Sequence, residues 1–321
     1  MKQSGIARVA AILRRVVASV VGIAVALVVI EYGTRFVDAH AAASAASGKG
    51  ARSEEPAVSI NSLGFREREV GPKDPSRYRI AVVGDSYAWG QGLEARERFS
   101  DRLEAFLGPR YEVLNFGMRG HKMPEHLGEL ASVLTTGPDF VLLEMYINNF
   151  ETPDMRRPST YPLLPADWDG RLQDSSAVYR LLSDRWAQLQ EATGIADSYE
   201  RYMEKHLRDP NSPDARDSFG RLRRFFDTAR AAGVASGAVL FPAADAMGPF
   251  GSDYPFGYLH DHVKAVCADA RVPCLDLLAL FSTLPDPHST WVSPTDAHPN
   301  ADINRRAAVE MLREFGPAWR R

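Results

Sequence analysis

The sequence predicts an α/β protein: a three-layer α/β/α sandwich around a mostly parallel central sheet, preceded by one N-terminal transmembrane helix. Three observations carry this. Short apolar runs alternate with amphipathic helical patterns, as expected for parallel strands covered on both faces. Polar residues able to do chemistry follow directly on predicted strand ends, where open α/β sheets gather their functional groups. An uncharged run, residues 16–30, stands apart from everything after it.

Residues 1–15 carry Lys2, Arg8, Arg14 and Arg15 and no acid, and residues 16–30 (VVASVVGIAVALVVI) carry no charge. At 1.5 Å rise per residue this run spans roughly 22 Å of a ~30 Å hydrocarbon core. Snorkelling Arg14 and Arg15 and the apolar residues 9–13 make up the difference. Residues 1–38 therefore read as a membrane anchor whose basic side stays cytoplasmic while the rest is exported. That places a single-pass protein in a bacterial-type inner membrane with a periplasmic domain. A cleaved signal peptide is the alternative, with small-residue sites at Ala39-His40-Ala41 and Ala41-Ala42-Ala43, and would give a secreted protein. Residues 39–54 are small and low in complexity, which suits a flexible linker. The folded domain is expected over 55–321.

Within it, 78–83 (YRIAVV) reads as a buried strand ended by Gly84, and 97–107 as a helix with Phe99, Leu103 and Phe106 on one side. A strand at 111–115, a helix at 124–135 and a strand at 139–145 follow. Residues 151–173 are rich in Pro, Asp and Arg and read as loop. Helices at 175–192 and 213–232, a strand at 237–241, a helix at 255–269, a strand at 272–277 and a last helix at 300–315 complete the order. The stretch at about 150–212 interrupts the alternation and reads as an insertion.

The composition narrows the function classes. The 321 residues hold 38 basic and 41 acidic side chains, a net charge of −3, which gives no electrostatic reason to expect nucleic acid. Two cysteines exclude a disulfide-stapled scaffold or a four-thiolate zinc site. Cys267 and Cys274 flank a short helix-to-strand turn, so a disulfide is compatible with export; two buried reduced thiols are the alternative.

Four places can carry chemistry. Gly84-Asp85-Ser86-Tyr87 follows the first strand, where a serine hydroxyl is exposed at the sheet edge and its N–H faces a developing negative charge; helix capping is the plainer role of such a pair. Asn115-Phe116-Gly117-Met118-Arg119-Gly120 follows the second strand, with glycines that let an N–H point into a site. Asn148-Asn149 follows the third and offers side-chain amide donors. Asp296-Ala297-His298-Pro299-Asn300 precedes the last helix and offers an imidazole base with a carboxylate to fix its tautomer.

In this order the four blocks, GDSYAWGQGL, NFGMRGHKM, EMYINNFE and SPTDAHPNADINRRAA, resemble those of the SGNH/GDSL hydrolase family. The resemblance covers about residues 58–315. It includes Asn61-Ser62-Leu63-Gly64-Phe65-Arg66, which looks like the lead-in of membrane-anchored members, and it implies the family's SGNH-hydrolase, flavodoxin-like sheet. By that resemblance Ser86 is the nucleophile, His298 the general base and Asp296 its orienting carboxylate. The N–H groups of Ser86 and Gly120 and the Asn148 amide form the oxyanion hole, with Gly117 as the alternative to Gly120. The chain departs from the family pattern where Tyr146 stands for its glycine and Asn149 for its aspartate. It departs again where Asp-x-His replaces Asp-x-x-His, a spacing that would put Thr295 in the carboxylate's place. Asp286-Pro287-His288 makes His288 a rival base.

The implied activity is a serine esterase that removes a short acyl group, such as acetyl, from a cell-surface carbohydrate through an acyl-enzyme, with no metal or organic cofactor. An O-acyltransferase acting on an extracytoplasmic polysaccharide is one rival. A non-catalytic glycan-binding or assembly protein on the same fold is another, and a lipase or thioesterase specificity stays open. Tyr146, Tyr161 and Trp168 are candidate sugar-stacking rings, with local packing as the alternative. His260-Asp261-His262 reads as a solvated helix face rather than a metal site, because residues two apart on a helix point apart. Gly90-Gln91-Gly92 lacks the third glycine of a nucleotide loop, and Arg221, Arg223 and Arg224 read as an exposed helix face.

Overall fold

A computed structural model describes residues 59–319 except 156–159, 247–253, 285 and 295, together with scattered helical positions between 15 and 35. About half of the uncharged run 16–30 lies outside the described residues, and the linker 39–54 and Thr295 lie wholly outside them. Among the described residues no helix is long and apolar enough to cross a membrane.

The chain divides into two compact units. One comprises Ser53–Arg157 and Tyr199–Arg321, the other Met1–Arg52 and Pro158–Ser198. In the larger unit the elements run β1 (Tyr78–Gly84), α1 (Ser86–Trp89), α2 (Phe99–Leu107), β2 (Tyr111–Gly117), α3 (Met123–Thr135) and β3 (Phe140–Met145). The smaller unit contributes α4 (Ala166–Ser175) and α5 (Ala177–Thr193). The larger unit resumes with α6 (Tyr199–Leu207), α7 (Pro213–Ala231), β4 (Ala235–Leu240), α8 (Gly257–Ala270), β5 (Cys274–Asp276), α9 (Leu278–Ser282), β6 (Trp291–Ser293), β7 (Asp296–Pro299) and α10 (Ala301–Trp319).

Strands β1 to β5 form one sheet in the order β2-β1-β3-β4-β5, with every pairing parallel. Ile80 pairs with Val113 on one side and Phe140 on the other, and Leu142 pairs with Gly237. Side chains alternate across a strand, so Ala81 and Val83 enter one core while Ile80 and Val82 enter the other. The first core receives Met123, Leu130 and Val133 of α3, Leu222, Phe225 and Phe226 of α7, and Leu259 and Val263 of α8. The second receives Phe99 and Leu103 of α2 and Ile303, Met311, Phe315 and Trp319 of α10. Helices on both faces of a parallel sheet are what continuous apolar strands require. Strand order 2-1-3-4-5 also places a topological switch point between β1 and β3, the crevice where α/β sheets hold their ligands.

Several expectations need correction. Residues 151–173 are not loop throughout, since α4 begins at Ala166. The polar sequence of α6 gave no helical signal, yet Tyr202, Met203 and Leu207 make a buried face. Phe106 is exposed, because α2 ends one residue later. His260 is buried rather than solvated: its Nδ1 lies 2.8 Å from Asp276 Oδ1 and its Nε2 3.1 Å from Tyr254 Oη. A buried imidazole with both nitrogens partnered is a core group. Arg223, paired to Asp269, and Arg224 are exposed as expected, while Arg221, paired to Asp217, is partly buried. Cys267 and Cys274 are free thiols, and the hydrogen bond with Cys274, together with burial, pushes the Cys267 thiol up.

Within the smaller unit, Glu31 accepts hydrogen bonds from the N–H of Ala177 (3.2 Å), the N–H of Val178 (3.0 Å) and the Ser176 hydroxyl (2.9 Å). A carboxylate is favoured at a helix N-terminus by the unpaired N–H groups and the dipole, and here it fixes the start of α5. Tyr161 and Trp168 are largely exposed.

Candidate active site

The site is built at the carboxyl ends of β1, β2 and β3. At the end of β1 the chain turns at Gly84 into α1, and Ser86 is its first residue. Asp85 caps the turn through Tyr87 N–H (2.9 Å). Glu144 of β3 accepts from the N–H groups of Asp85 (3.1 Å) and Ala88 (3.2 Å). A Cβ on Gly84 would collide with that carboxyl group, so the close approach of β3 demands glycine. Burial pushes both Asp85 and Glu144 up, and the neighbouring Asp85 charge adds to the rise at Glu144. Glu144 grips the turn through those two N–H groups.

The lead-in Asn61–Arg66 supports the same turn from outside the sheet. Phe65 packs edge-on against Phe116 at 5.1 Å. The buried Arg66 guanidinium donates to the carbonyls of Trp89 (3.1 Å), Gly90 (2.9 Å) and Leu93 (2.6 Å). Arg66→Met should destabilise the protein by about 2–4 kcal/mol, because buried carbonyls lose a charged donor. Denaturant midpoints measure this, and a loss under about 0.5 kcal/mol, the range of an ordinary surface change, would refute the role.

Asn149 joins the three loops. It is fully buried, and its Nδ2 lies 3.1 Å from Asp85 Oδ2, 3.4 Å from the His121 carbonyl and 3.1 Å from Asn148 Oδ1. The amide standing where the family has an aspartate is thus a donor towards a buried carboxyl group. A second acid there would meet Asp85 with like charge. Because Asn148 Oδ1 accepts from Asn149, Nδ2 is the end of the Asn148 amide able to donate elsewhere.

The two glycines after β2 differ. Gly117 is buried, its N–H donates to Asn115 Oδ1 (2.8 Å), and a Cβ there would collide with the Trp89 backbone. It is a packing glycine. Gly120 is exposed, with φ of 73° in the left-handed region and open space where a Cβ would stand. It serves conformation rather than close packing.

The fourth block arrives on a separate two-stranded antiparallel sheet, β6 with β7. His298 Nε2 lies 2.8 Å from Ser86 Oγ, and its Nδ1 lies 2.5 Å from Asp296 Oδ1. Residues two apart on a strand share a face, so Asp-x-His suffices where a turn would need another residue. The segment that precedes the last helix is therefore a strand. Asp296 also accepts from Gln91 Nε2 (3.2 Å) and from the His298 N–H (3.1 Å). Burial pushes the Asp296 carboxyl up, but the hydrogen bonds from His298 and Gln91 outweigh it and hold the group below the usual carboxylate range.

His288 is exposed, pairs with Asp286 at 3.1 Å and lies tilted against Trp291 with ring centroids 4.4 Å apart. Tyr146 stacks on Tyr87 at 4.5 Å, and the Tyr87 ring lies 5.2 Å from the His298 ring. Gln91 was missed in the sequence, where only its flanking glycines drew notice. Its signal is visible only once β7 is folded beside it.

Residues 82–306 match the GDSL-like lipase/acylhydrolase family. The chain belongs to this family. It is accordingly an SGNH/GDSL-type serine hydrolase. No curated protein sequence matches this GDSL-like acylhydrolase. Solved structures similar to it include TesA, at 15% identity over 74% of this chain and 98% of that chain with a TM-score of 0.46. The psychrotrophic esterase EstA from Pseudoalteromonas sp. is 12% identical over 75% and 97%, with a TM-score of 0.45. An acetylxylan esterase from Geobacillus stearothermophilus is 15% identical over 78% and 99%, with a TM-score of 0.43.

Proposed function

We propose that this acylhydrolase removes a short acyl group, acetyl in the first instance, from a carbohydrate ester outside the cytoplasm. The observation that carries the reading is the Ser86–His298–Asp296 chain of contacts, 2.8 Å and 2.5 Å long. Ser86 Oγ attacks the ester carbonyl carbon while His298 Nε2 takes its proton. Asp296, kept charged, holds the ring and stabilises the imidazolium. The N–H groups of Ser86 and Gly120 and the Asn148 amide face the oxyanion. Gly120 is favoured over Gly117 because the Gly117 N–H is already engaged. His298 then returns the proton to the leaving alcohol, and an acyl ester remains on Ser86. Water, deprotonated by His298, attacks that ester, and the acid leaves with Ser86 restored.

A small acyl group is supported by aromatic bulk: the Tyr87 ring lies beside the imidazole, and Tyr146, standing where the family usually has a glycine, stacks on Tyr87. An extracytoplasmic, membrane-tethered setting is supported by the basic residues ahead of the uncharged run 16–30. It is supported also by the exposed apolar side chains Val21, Val25, Val28 and Val29 along that helix, which a lipid surface would cover.

The reading is tested with 4-nitrophenyl esters of increasing chain length and a fluorophosphonate probe. Acetate turned over faster than octanoate, with the probe attached to Ser86, is expected. A preference for octanoate would overturn the short-acyl assignment, and no labelling of folded protein would favour a binding protein. Release of acetate in the presence of a glycan acceptor separates hydrolysis from transfer to a sugar hydroxyl.

A further inference from the structure

Beside the serine site, a cluster of three donors has no part in the acyl chemistry. His121 lies in the loop between β2 and α3, and His126 and Glu129 lie on α3 itself. Residues three apart on a helix share a face, and the loop folds His121 back against that face. His121 Nδ1 is 2.9 Å from Glu129 Oε1, and His126 Nδ1 is 3.9 Å from Glu129 Oε2. One donor atom from each residue falls within 4.8 Å of the others.

The hydrogen bonding is anomalous. The His126 side chain is fully buried, yet among the described residues neither of its ring nitrogens has a hydrogen-bond partner. Glu129 Oε2 is likewise buried and unpartnered. His121 Nδ1, although 2.9 Å from a carboxylate oxygen, makes no hydrogen bond to it. Buried polar groups in folded proteins are nearly always satisfied, and an exception points to a missing water or ion. Here three unsatisfied groups converge on one point. The buried His260, by contrast, has partners on both nitrogens.

We propose that His121, His126 and Glu129 bind a divalent transition-metal cation of the zinc type. Two imidazole nitrogens and one carboxylate oxygen, with a fourth position left to water, are a recurrent zinc donor set. With bonds of about 2.0–2.2 Å, tetrahedral donors stand roughly 3.4 Å apart; the three donor atoms lie within 4.8 Å of one another, so binding draws them somewhat closer together. The side chains of His121 and Glu129 are 28% and 20% exposed, so the ion has a route in from solvent. The hydrolytic step needs no ion. Its effect is positional: His121 directly follows Gly120, and its carbonyl accepts from Asn149, so the ion ties the Gly120 loop to α3.

The test uses the full chain, dialysed against chelator and titrated with Co²⁺, whose visible absorption reports low-symmetry coordination. One equivalent should bind, and one equivalent of Zn²⁺ should displace it. Glu129→Gln and His121→Asn should each weaken Co²⁺ binding by about tenfold or more, whereas Ser86→Ala should bind as the unaltered protein does. Both altered residues are partly exposed, and circular dichroism of the metal-free variants verifies folding. If the unaltered chain shows no saturable one-equivalent signal, or if either folded variant binds Co²⁺ undiminished, the proposal is overturned.

Discussion

Ser86→Ala should abolish hydrolysis, lowering kcat by about 10⁶-fold as the loss of a nucleophile does in a serine triad, with the fold intact. The turn that carries Ser86 is held by other groups: the Asp85 cap, the two N–H bonds to Glu144 and the three carbonyl bonds from Arg66. Removing one hydroxyl breaks a single contact, the one to His298 Nε2. Steady-state kinetics with an activated acetate ester, read beside thermal denaturation, checks both halves. Hydrolysis within tenfold of the unaltered enzyme would refute the assignment of the nucleophile.

His298→Ala should have a nearly equal effect, because nucleophile and base act as a unit and their losses do not add. His288→Ala, removing an exposed ring paired elsewhere, should leave kcat/KM within about twofold, within the range of an ordinary surface change. The double variant Ser86→Ala/His298→Ala should be no slower than either single one. The pH profile gives a separate check. A protonated imidazole cannot accept the serine proton, so the profile should show an acid limb. Asp296 is held below the usual carboxylate range and stays charged over that limb. The acid limb should therefore fit one protonation, and a second one within it would show that Asp296 is not held as described.

How much of this was legible beforehand follows from where the information lies. Strands β1, β2 and β3 are announced by buried apolar runs, and the residues just past them were singled out because a parallel sheet gathers function at that edge. Helix α6 was hidden because its sequence, YERYMEKHL, is mostly polar and its buried stripe is narrow. Strand β7 was hidden for a different reason. DAHP has no strand propensity of its own, and its extended form comes from pairing Ser293 with Asp296 and Trp291 with Pro299. The role of Gln91 depends on the same docking, since its partner lies 205 residues further along the chain. Spacing within the family's block already names Gly120; that the Gly117 N–H is engaged by Asn115 is a contact only the fold reveals. The change to Asn149 became intelligible only with Asp85 beside it in the fold.

Mounting the carboxylate and the ring on one extended ribbon restricts how this segment can vary. In a flexible turn, a residue gained or lost between the two is absorbed by the loop. On a ribbon, the same insertion would swing the imidazole to the opposite side and away from the serine. On this ribbon the spacing of the two residues therefore matters as much as their chemistry, and Ala297 is tied to its place by position alone.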